Sequence, residues 1–151
     1  MAVLVFLVGC GIQPSGVTDA GAAPTGVASG KTLYFIDEEG ELLPQLRETG
    51  RLGTVSDSVS LLLRGPGDSE VRTEIASVQV TTVEVTEEPG VIRLRMPLDI
   101  EDVTPLGIDQ IVCTALGSHV QNGGSTRTEA RVRFIQDTPE SERSRTCPLY
   151  E

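Results

Sequence analysis

The chain has 151 residues and a mass of 16.1 kDa, enough for one compact domain with tails and too little for most two-lobed nucleotide-dependent enzymes. Its formal net charge of −10 would repel a phosphate backbone and argues against nucleic-acid binding. It has no tryptophan and one histidine, so it is poor in the side chains that usually build ligand pockets and acid–base sites. Lys31 is the single lysine among 12 basic residues.

The N-terminus begins with an apolar run over residues 3–8 that is too short to span a bilayer but suits the end of a signal-peptide core. Leu7-Val8-Gly9-Cys10 resembles a bacterial lipobox, in which small residues precede a cysteine that receives a diacylglycerol. The resemblance implies that residues 1–9 are a signal-peptide remnant and that Cys10 is lipidated. The chain would then be anchored at the outer face of the cytoplasmic membrane. The alternative is a fortuitous apolar N-terminus with a buried Cys10.

Residues 10–30 combine this cysteine with a stretch rich in Gly, Ala, Pro, Ser and Thr and without hydrophobic period. Such a segment is typical of a flexible tether, with a span of roughly 25 Å. The predicted domain follows, beginning with a buried strand over residues 32–36 and a turn over residues 37–40. Leu42-Leu43-Pro44 is expected to return briefly alongside this strand.

Two segments have the apolar spacing of helices. The first is short, with Ser56 or Asp57 as N-cap and a stop at Gly65-Pro66. The second has Thr104 as N-cap before a proline and is predicted to end at Gly117. His119 is then expected to stand alone just past the helix end.

Between the helices lies a predicted hairpin with residues 87–90 as its loop. In this register the facing pairs are Val85 with Ile92, Glu84 with Arg93, and Val83 with Leu94. A last strand alternates Ala130, Val132 and Phe134 with Arg131 and Arg133, and residues 136–151 are polar and predicted to be mostly unstructured. The order β-α-β-β-α-β predicts a single small α+β domain, with one mainly antiparallel four-stranded sheet and two helices on one face.

Several pieces of this domain resemble the GerMN domain, known from sporulation and spore-germination proteins and from LpqB-type lipoproteins of Gram-positive bacteria. The matching pieces are Tyr34-Phe35, Leu42-Leu43-Pro44, Leu62-Leu63-Arg64-Gly65-Pro66 with Glu70, and Gln110-Ile111-Val112-Cys113-Thr114. They cover the predicted domain, residues 31–136, and leave residues 137–151 as a tail. The resemblance implies an extracytoplasmic binding or assembly module. It implies no enzyme, no catalytic residues and no cofactor.

Cys113 and Cys147 are predicted to form a disulfide, because export would place them in an oxidising compartment while Cys10 carries lipid. Cys113 lies off the apolar stripe of its helix, where the tail can reach it. The bond would hold the tail on the domain. The alternative is two free thiols.

A candidate partner-binding face combines Arg93, Arg95, Arg131 and Arg133, with Tyr34 between them if the first strand is central. In an acidic protein, such a face suits an acidic protein or an anionic wall polymer. The simpler alternative is that these arginines only pair with acidic residues across the strands.

The leading hypothesis is a lipid-anchored protein-binding or scaffolding module of the cell envelope, whose partner the sequence does not name. A cell-wall hydrolase or carbohydrate-acting enzyme is the alternative from another class, with Asp99, Glu101 and Asp102 as its only candidate carboxylates. An accessory module of a membrane sensor kinase is a third hypothesis. The spacing of Cys, His and acidic residues fits no metal motif, so no metal is predicted.

Overall fold

The structure is a computed structural model that describes residues 30–51 and 53–150. This part of the chain forms five strands and two α-helices. In chain order they are β1 (Gly30–Ile36), β2 (Leu42–Glu48), α1 (Val55–Leu62), β3 (Glu84–Glu88), β4 (Val91–Arg95), α2 (Pro105–Gln121) and β5 (Glu129–Arg133). Short 3-10 turns cover Ile100–Asp102, Pro139–Glu142 and Pro148–Tyr150.

The strands form two sheets, not the predicted single four-stranded sheet. β1 and β2 make an antiparallel pair along their whole length, and β4 lies between β3 and β5 in a three-stranded sheet. β4 is antiparallel to β3 and parallel to β5. A parallel pair needs a long crossover, and α2 lies in the connection from β4 to β5. The small single α+β domain with two helices is therefore confirmed, whereas the one mainly antiparallel sheet is wrong.

The first sheet ends at β1 because side chains of α2 occupy the second edge of this strand. The Gln110 amide donates to the carbonyl oxygen of Tyr34 (3.0 Å), and Thr114 Oγ1 accepts from its amide nitrogen (3.1 Å). Nearer the start of β1, Gln121 Oε1 accepts from the Thr32 amide (3.4 Å). Positions 110, 114 and 121 share one face of a helix. These side chains satisfy buried backbone groups that another strand would otherwise have to pair.

α2 is buried on nearly all sides, and residues 110–118 are all buried. It packs against β1, β5, α1 and the last 3-10 turn. Its start matches the prediction, since Thr104 Oγ1 accepts from the Gly107 amide (3.1 Å). Its end does not, because α2 runs past Gly117 to Gln121. A Cβ at position 117 would lie 3.0 Å from the Tyr150 hydroxyl, so this glycine makes room for a ring and does not end the helix.

The N-cap of α1 lies two or three residues before the predicted Ser56 or Asp57. Thr54 is its N-cap, and the Thr54 hydroxyl accepts from the Asp57 amide (3.1 Å). In return the Asp57 carboxylate accepts from the Thr54 amide (2.8 Å), which completes a capping box. Asp57 is therefore the third residue of the helix and not its cap.

The β3–β4 hairpin turns through two residues, Pro89 and Gly90, and not through residues 87–90. Glu84 lies opposite Arg95 and Val85 opposite Leu94, so the predicted register is wrong by two positions. Gly90 has φ +80°, which the tight turn requires. A shift of two residues keeps every side chain on its own face, so the hydrophobic pattern does not distinguish the two registers.

The C-terminal tail is ordered, contrary to the prediction. The backbone of Arg145 exchanges two hydrogen bonds of 2.8 Å with Ala130, on the edge of β5 that faces away from β4. Ser141 and Cys147 are buried. The tail therefore closes the outer edge of the second sheet.

Candidate functional site

Four arginines share one side of the second sheet, and we call this surface the arginine face. Arg93 lies directly opposite Arg131, and Arg95 directly opposite Arg133, on the parallel strands β4 and β5. The alternating residues of both strands are buried in the core on the other side: Ile92, Leu94, Ala130 and Val132. The predicted grouping of the four arginines on one face agrees with this geometry.

Each arginine of this face has an acidic neighbour. The ion pairs are Arg93–Glu88 (3.1 Å), Arg95–Glu84 (3.7 Å), Arg131–Glu142 (3.9 Å) and Arg133–Asp137 (2.6 Å). The arginine side chains remain between 32% and 71% exposed. Ion pairs this exposed contribute about 0–1 kcal/mol each, so the guanidinium groups are accessible to other carboxylates.

The arginine face also forms one wall of a shallow groove of about 220 Å³. Ser141 and Glu142 of the tail also line this groove. The facing pairs Arg93–Arg131 and Arg95–Arg133 place like charges opposite each other, which is unfavourable in a sheet. The acidic neighbours offset this repulsion. The isolated domain therefore holds this face in local charge balance while leaving it open to solvent.

Tyr34 does not belong to the arginine face, because β1 lies in the other sheet. Only 6% of Tyr34 is exposed, and its hydroxyl bonds to that of Tyr150 at 2.8 Å. Burial, with help from this hydrogen bond, raises the pKa of Tyr34 far above its usual range. An uncharged cavity of about 400 Å³ lies beside the two rings, lined in part by Thr32, Gln121 and Thr126.

Cys113 and Cys147 are joined by a disulfide, which fits the predicted pair. Both residues are buried in the hydrophobic core cluster. The bond attaches the tail to α2 beside the final 3-10 turn, so it holds Tyr150 close to Tyr34.

His119 lies in the last turn of α2 and not past its end. Its Nδ1 is 2.9 Å from Glu87 Oε2, and its Nε2 is 3.2 Å from Thr128 Oγ1. Both ring nitrogens therefore connect α2 to the neighbouring hairpin and to the residue before β5. The expectation that this histidine stands alone is wrong.

The three carboxylates considered for an enzyme lie at the turn Ile100–Asp102. Asp102 Oδ2 accepts from the Asp99 amide (3.1 Å), so this carboxylate stabilises the turn. Glu101 and Asp102 line an open cavity of about 330 Å³. Among residues 30–51 and 53–150, no group of three or more Cys, His, Asp or Glu side chains is arranged to hold a metal ion.

Sequence reasoning missed a second cationic cluster at the start of β1. Lys31 is buried there, 3.6 Å from Asp57, and Arg51 and Arg64 line the same cavity. Burial lowers the pKa of Lys31 despite the carboxylate beside it. The one signal in the sequence was the single lysine among 12 basic residues.

The predicted signal-peptide remnant, the lipidated Cys10 and the tether up to residue 29 lie outside the described residues, and Gly30 is already the first residue of β1. Within the part of the chain that the structure describes, neither helix combines the length and apolarity needed to cross a bilayer.

The fold defined by these elements is that of a GerMN domain, as the sequence resemblance implied. The domain is similar to a solved structure of the tandem GerMN domains of the sporulation protein GerM from Bacillus subtilis, with a TM-score of 0.54 and 14% sequence identity. The match covers 85% of this chain and 48% of that structure, so this chain spans about half of the tandem. No family model and no curated protein matches the chain.

Proposed function

We propose that this chain is a lipid-anchored extracytoplasmic module whose GerMN-like domain binds an acidic protein partner through the arginine face. The observation that carries this proposal is the placement of Arg93 against Arg131 and Arg95 against Arg133 on adjacent strands. Like charges directly opposite each other weaken a sheet, so this arrangement is expected where the charges have a use outside the domain.

The weak local ion pairs support a face whose arginines can release their intramolecular carboxylates and pair with those of another protein. Carboxylates such as Glu84 and Glu88 pair with the arginine side chains but leave them 46–71% exposed. An acidic partner would replace weak exposed pairs with pairs that are desolvated in an interface, where charge complementarity sets specificity and association rate. The partner is therefore expected to bind with strong salt dependence.

Membrane anchoring rests on the Leu7-Val8-Gly9-Cys10 motif and on the following tether. Its test is the intact mass of the chain purified from native membranes. The expected species begins at Cys10 and carries a diacylglycerol, and a mass that includes residues 1–9 without lipid would refute the anchor.

The binding role is tested by placing a photo-crosslinking residue at Thr86, an exposed position that lines the groove beside the arginine face. A matched probe replaces Glu39, in the turn after β1. The expected result is one crosslinked envelope protein that appears with the Thr86 probe and not with the Glu39 probe.

The affinity of that partner is then measured with the double variant Arg95→Gln/Arg133→Gln and with the control Arg72→Gln/Arg127→Gln, which removes the same charge elsewhere. The arginine-face variant should bind at least about tenfold more weakly, because charge-assisted pairs in an interface are lost. Equal binding by both variants would overturn the proposal.

Binding of a partner through the arginine face requires no covalent chemistry. We therefore propose a binding module without enzymatic activity. Asp102, one of the three carboxylates considered for hydrolysis, serves to stabilise a turn. Purified protein that releases no reducing ends or peptides from isolated cell walls would agree with this assignment, and release that depends on Asp99 or Glu101 would refute it.

A further inference from the structure

The cationic cluster at the start of β1 forms a cavity of about 220 Å³, which we call the lysine pocket. Its charged residues are Lys31, Arg51, Arg64 and Asp57, and the side chains of Thr49 and Ser60 also line it. Three cations and one carboxylate leave a local charge of +2 in a chain whose net charge is −10. The pocket is thus a locally positive site on an acidic protein.

Lys31 lies deepest in this pocket. Its side chain is only 6% exposed, whereas that of its neighbour Asp57 is 50% exposed. Asp57 is also shared, because one of its oxygens accepts the Thr54 amide in the capping box of α1. Burial, together with the nearby Arg51 charge, lowers the pKa of Lys31 more than the charge and hydrogen bond of Asp57 raise it, so the carboxylate only partly offsets the unfavourable surroundings of the ammonium. A second anion in the pocket would complete this compensation.

The backbone at Gly53 is shaped around the lysine. Gly53 has φ +65°, and a Cβ there would lie 2.5 Å from Lys31 Nζ and 2.8 Å from Asp57 Oδ2. The close approach leaves room for a compact ammonium but little for a planar guanidinium. Position 31 is also the one basic position at which this chain has lysine and not arginine.

We propose that the lysine pocket binds a phosphate group, either as a free ion or as the phosphodiester of a lipid headgroup. The Lys31 ammonium offers up to three donors as a point charge, and the forks of Arg51 and Arg64 suit two oxygens each. The hydroxyl of Ser60 adds a neutral donor at the rim, whereas that of Thr49 already donates to the Arg51 carbonyl oxygen. Phosphate provides enough acceptor oxygens for this donor set, and the cavity has room for one such group. Phosphate binding in this pocket would not depend on the arginine face or on lipidation.

The test is a titration of the full chain, carrying Cys10→Ser so that it is purified without lipid, with inorganic phosphate at constant ionic strength. Amide resonances of Thr49, Gly53 and Ser60 are followed by NMR, with chloride as the reference anion. The expected result is a saturable shift of these three resonances that chloride does not produce.

Variants decide whether the pocket itself is responsible. Arg64→Gln, at an exposed position after α1, should weaken phosphate binding about tenfold, because it removes one charge-assisted contact. Arg72→Gln is the matched control, because Arg72 pairs with Ile36 at the opposite end of β1. Lys31→Met should abolish the shift, provided its NMR spectrum shows a folded domain. Equal loss with Arg64→Gln and Arg72→Gln would show nonspecific charge attraction and overturn the proposal.

Vesicles distinguish the two sources of phosphate. The same proteins are mixed with vesicles of phosphatidylglycerol and of phosphatidylcholine and separated by flotation. Binding to phosphatidylglycerol that is lost in Arg64→Gln and kept in Arg72→Gln indicates a headgroup, whereas a response to inorganic phosphate alone indicates the free ion. If neither probe gives a response that depends on Arg64, the proposal is wrong.

Discussion

The two sheets of this domain close their outer edges in different ways. The second edge of β1 is satisfied mainly by side chains, since Gln110 and Thr114 of α2 bond to the backbone of Tyr34, and it pairs with backbone at Ile36, opposite Arg72. The outer edge of β5 is instead met by backbone, where the tail pairs at Ala130 and is held by the Cys113–Cys147 disulfide. A strand edge can thus be closed from within the core by buried polar side chains, or from outside by a covalently held segment. A reducing agent should leave the side-chain closure at β1 intact but should weaken the disulfide-held closure at β5.

The largest effect is expected from breaking the covalent edge. The disulfide joins residues separated by 34 positions. In the chain-entropy model its loss lowers the free energy of unfolding by about 3–4 kcal/mol. Denaturant unfolding with and without a reductant measures this change, and Cys113→Ala/Cys147→Ala should match the reduced protein. A stability that does not change after thiol labelling has confirmed reduction would contradict the role of the bond.

The side-chain edge should be the next most sensitive. Gln110→Leu keeps the size of the side chain but removes the partners of the Tyr34 carbonyl and of the Glu74 amide (2.8 Å). Leaving these groups unpaired should cost about 2–3 kcal/mol of unfolding free energy. The matched control is Gln136→Leu, at an exposed position after β5, for which a change below about 0.5 kcal/mol is expected. Equal effects of the two variants would mean that the helix does not close this edge.

A smaller, pH-dependent effect is expected where β1 meets α1. Hydrogen bonds from the Thr54 backbone and side chain hold the pKa of Asp57 below its usual 3.8. A lowered carboxyl pKa adds stability above the unfolded value, and this contribution is lost as the pH falls through the folded value. Asp57→Asn should therefore lower the unfolding free energy by about 0.3–1 kcal/mol at pH 6. Urea unfolding at pH 6 and pH 2.5 should show the difference shrinking in acid, and a constant difference would contradict the prediction.

The smallest effect distinguishes the two possible hairpin registers. A double-mutant cycle on Glu84 and Arg95 should give a coupling energy of about 0.2–0.5 kcal/mol, because the two residues face each other in an exposed pair. The same cycle on Glu84 and Arg93 should give none, since Arg93 pairs with Glu88. The reverse pattern would restore the register that the sequence first indicated.

Local signals in the sequence predicted local structure well. The cap at Thr104 was correct because a side-chain oxygen and the following proline act within one turn. The hairpin register failed because two alignments differ only by two residues and place every side chain on the same face. The split into two sheets was missed because the polar residues Gln110 and Thr114 act across a distance in sequence, on a strand about 80 residues earlier.

The candidate sites show the same difference between what local sequence patterns predict and what depends on the folded arrangement. The four arginines were grouped correctly because strand alternation alone puts them on one side of β4 and β5. Tyr34 was misplaced because its position depended on sheet membership, which the strand pattern does not contain. The lysine pocket joins Lys31 to residues up to Arg64 that share no motif, so only the folded arrangement brings their charges together.

The pairing of β1 with β2 also sets how the domain responds to mechanical load. Gly30 pairs with Glu48 at one end of this antiparallel pair, so a force applied to the chain at residue 30 meets that pair first. The hydrogen bonds between β1 and β2 should then break one at a time from the Gly30 end, so the pair should unfold at low force. The segment between Cys113 and Cys147 is shielded, because the disulfide carries the load past it. A pulling experiment from the two termini should therefore show early peeling of β1, and reduction should release roughly 110–120 Å of additional extended chain.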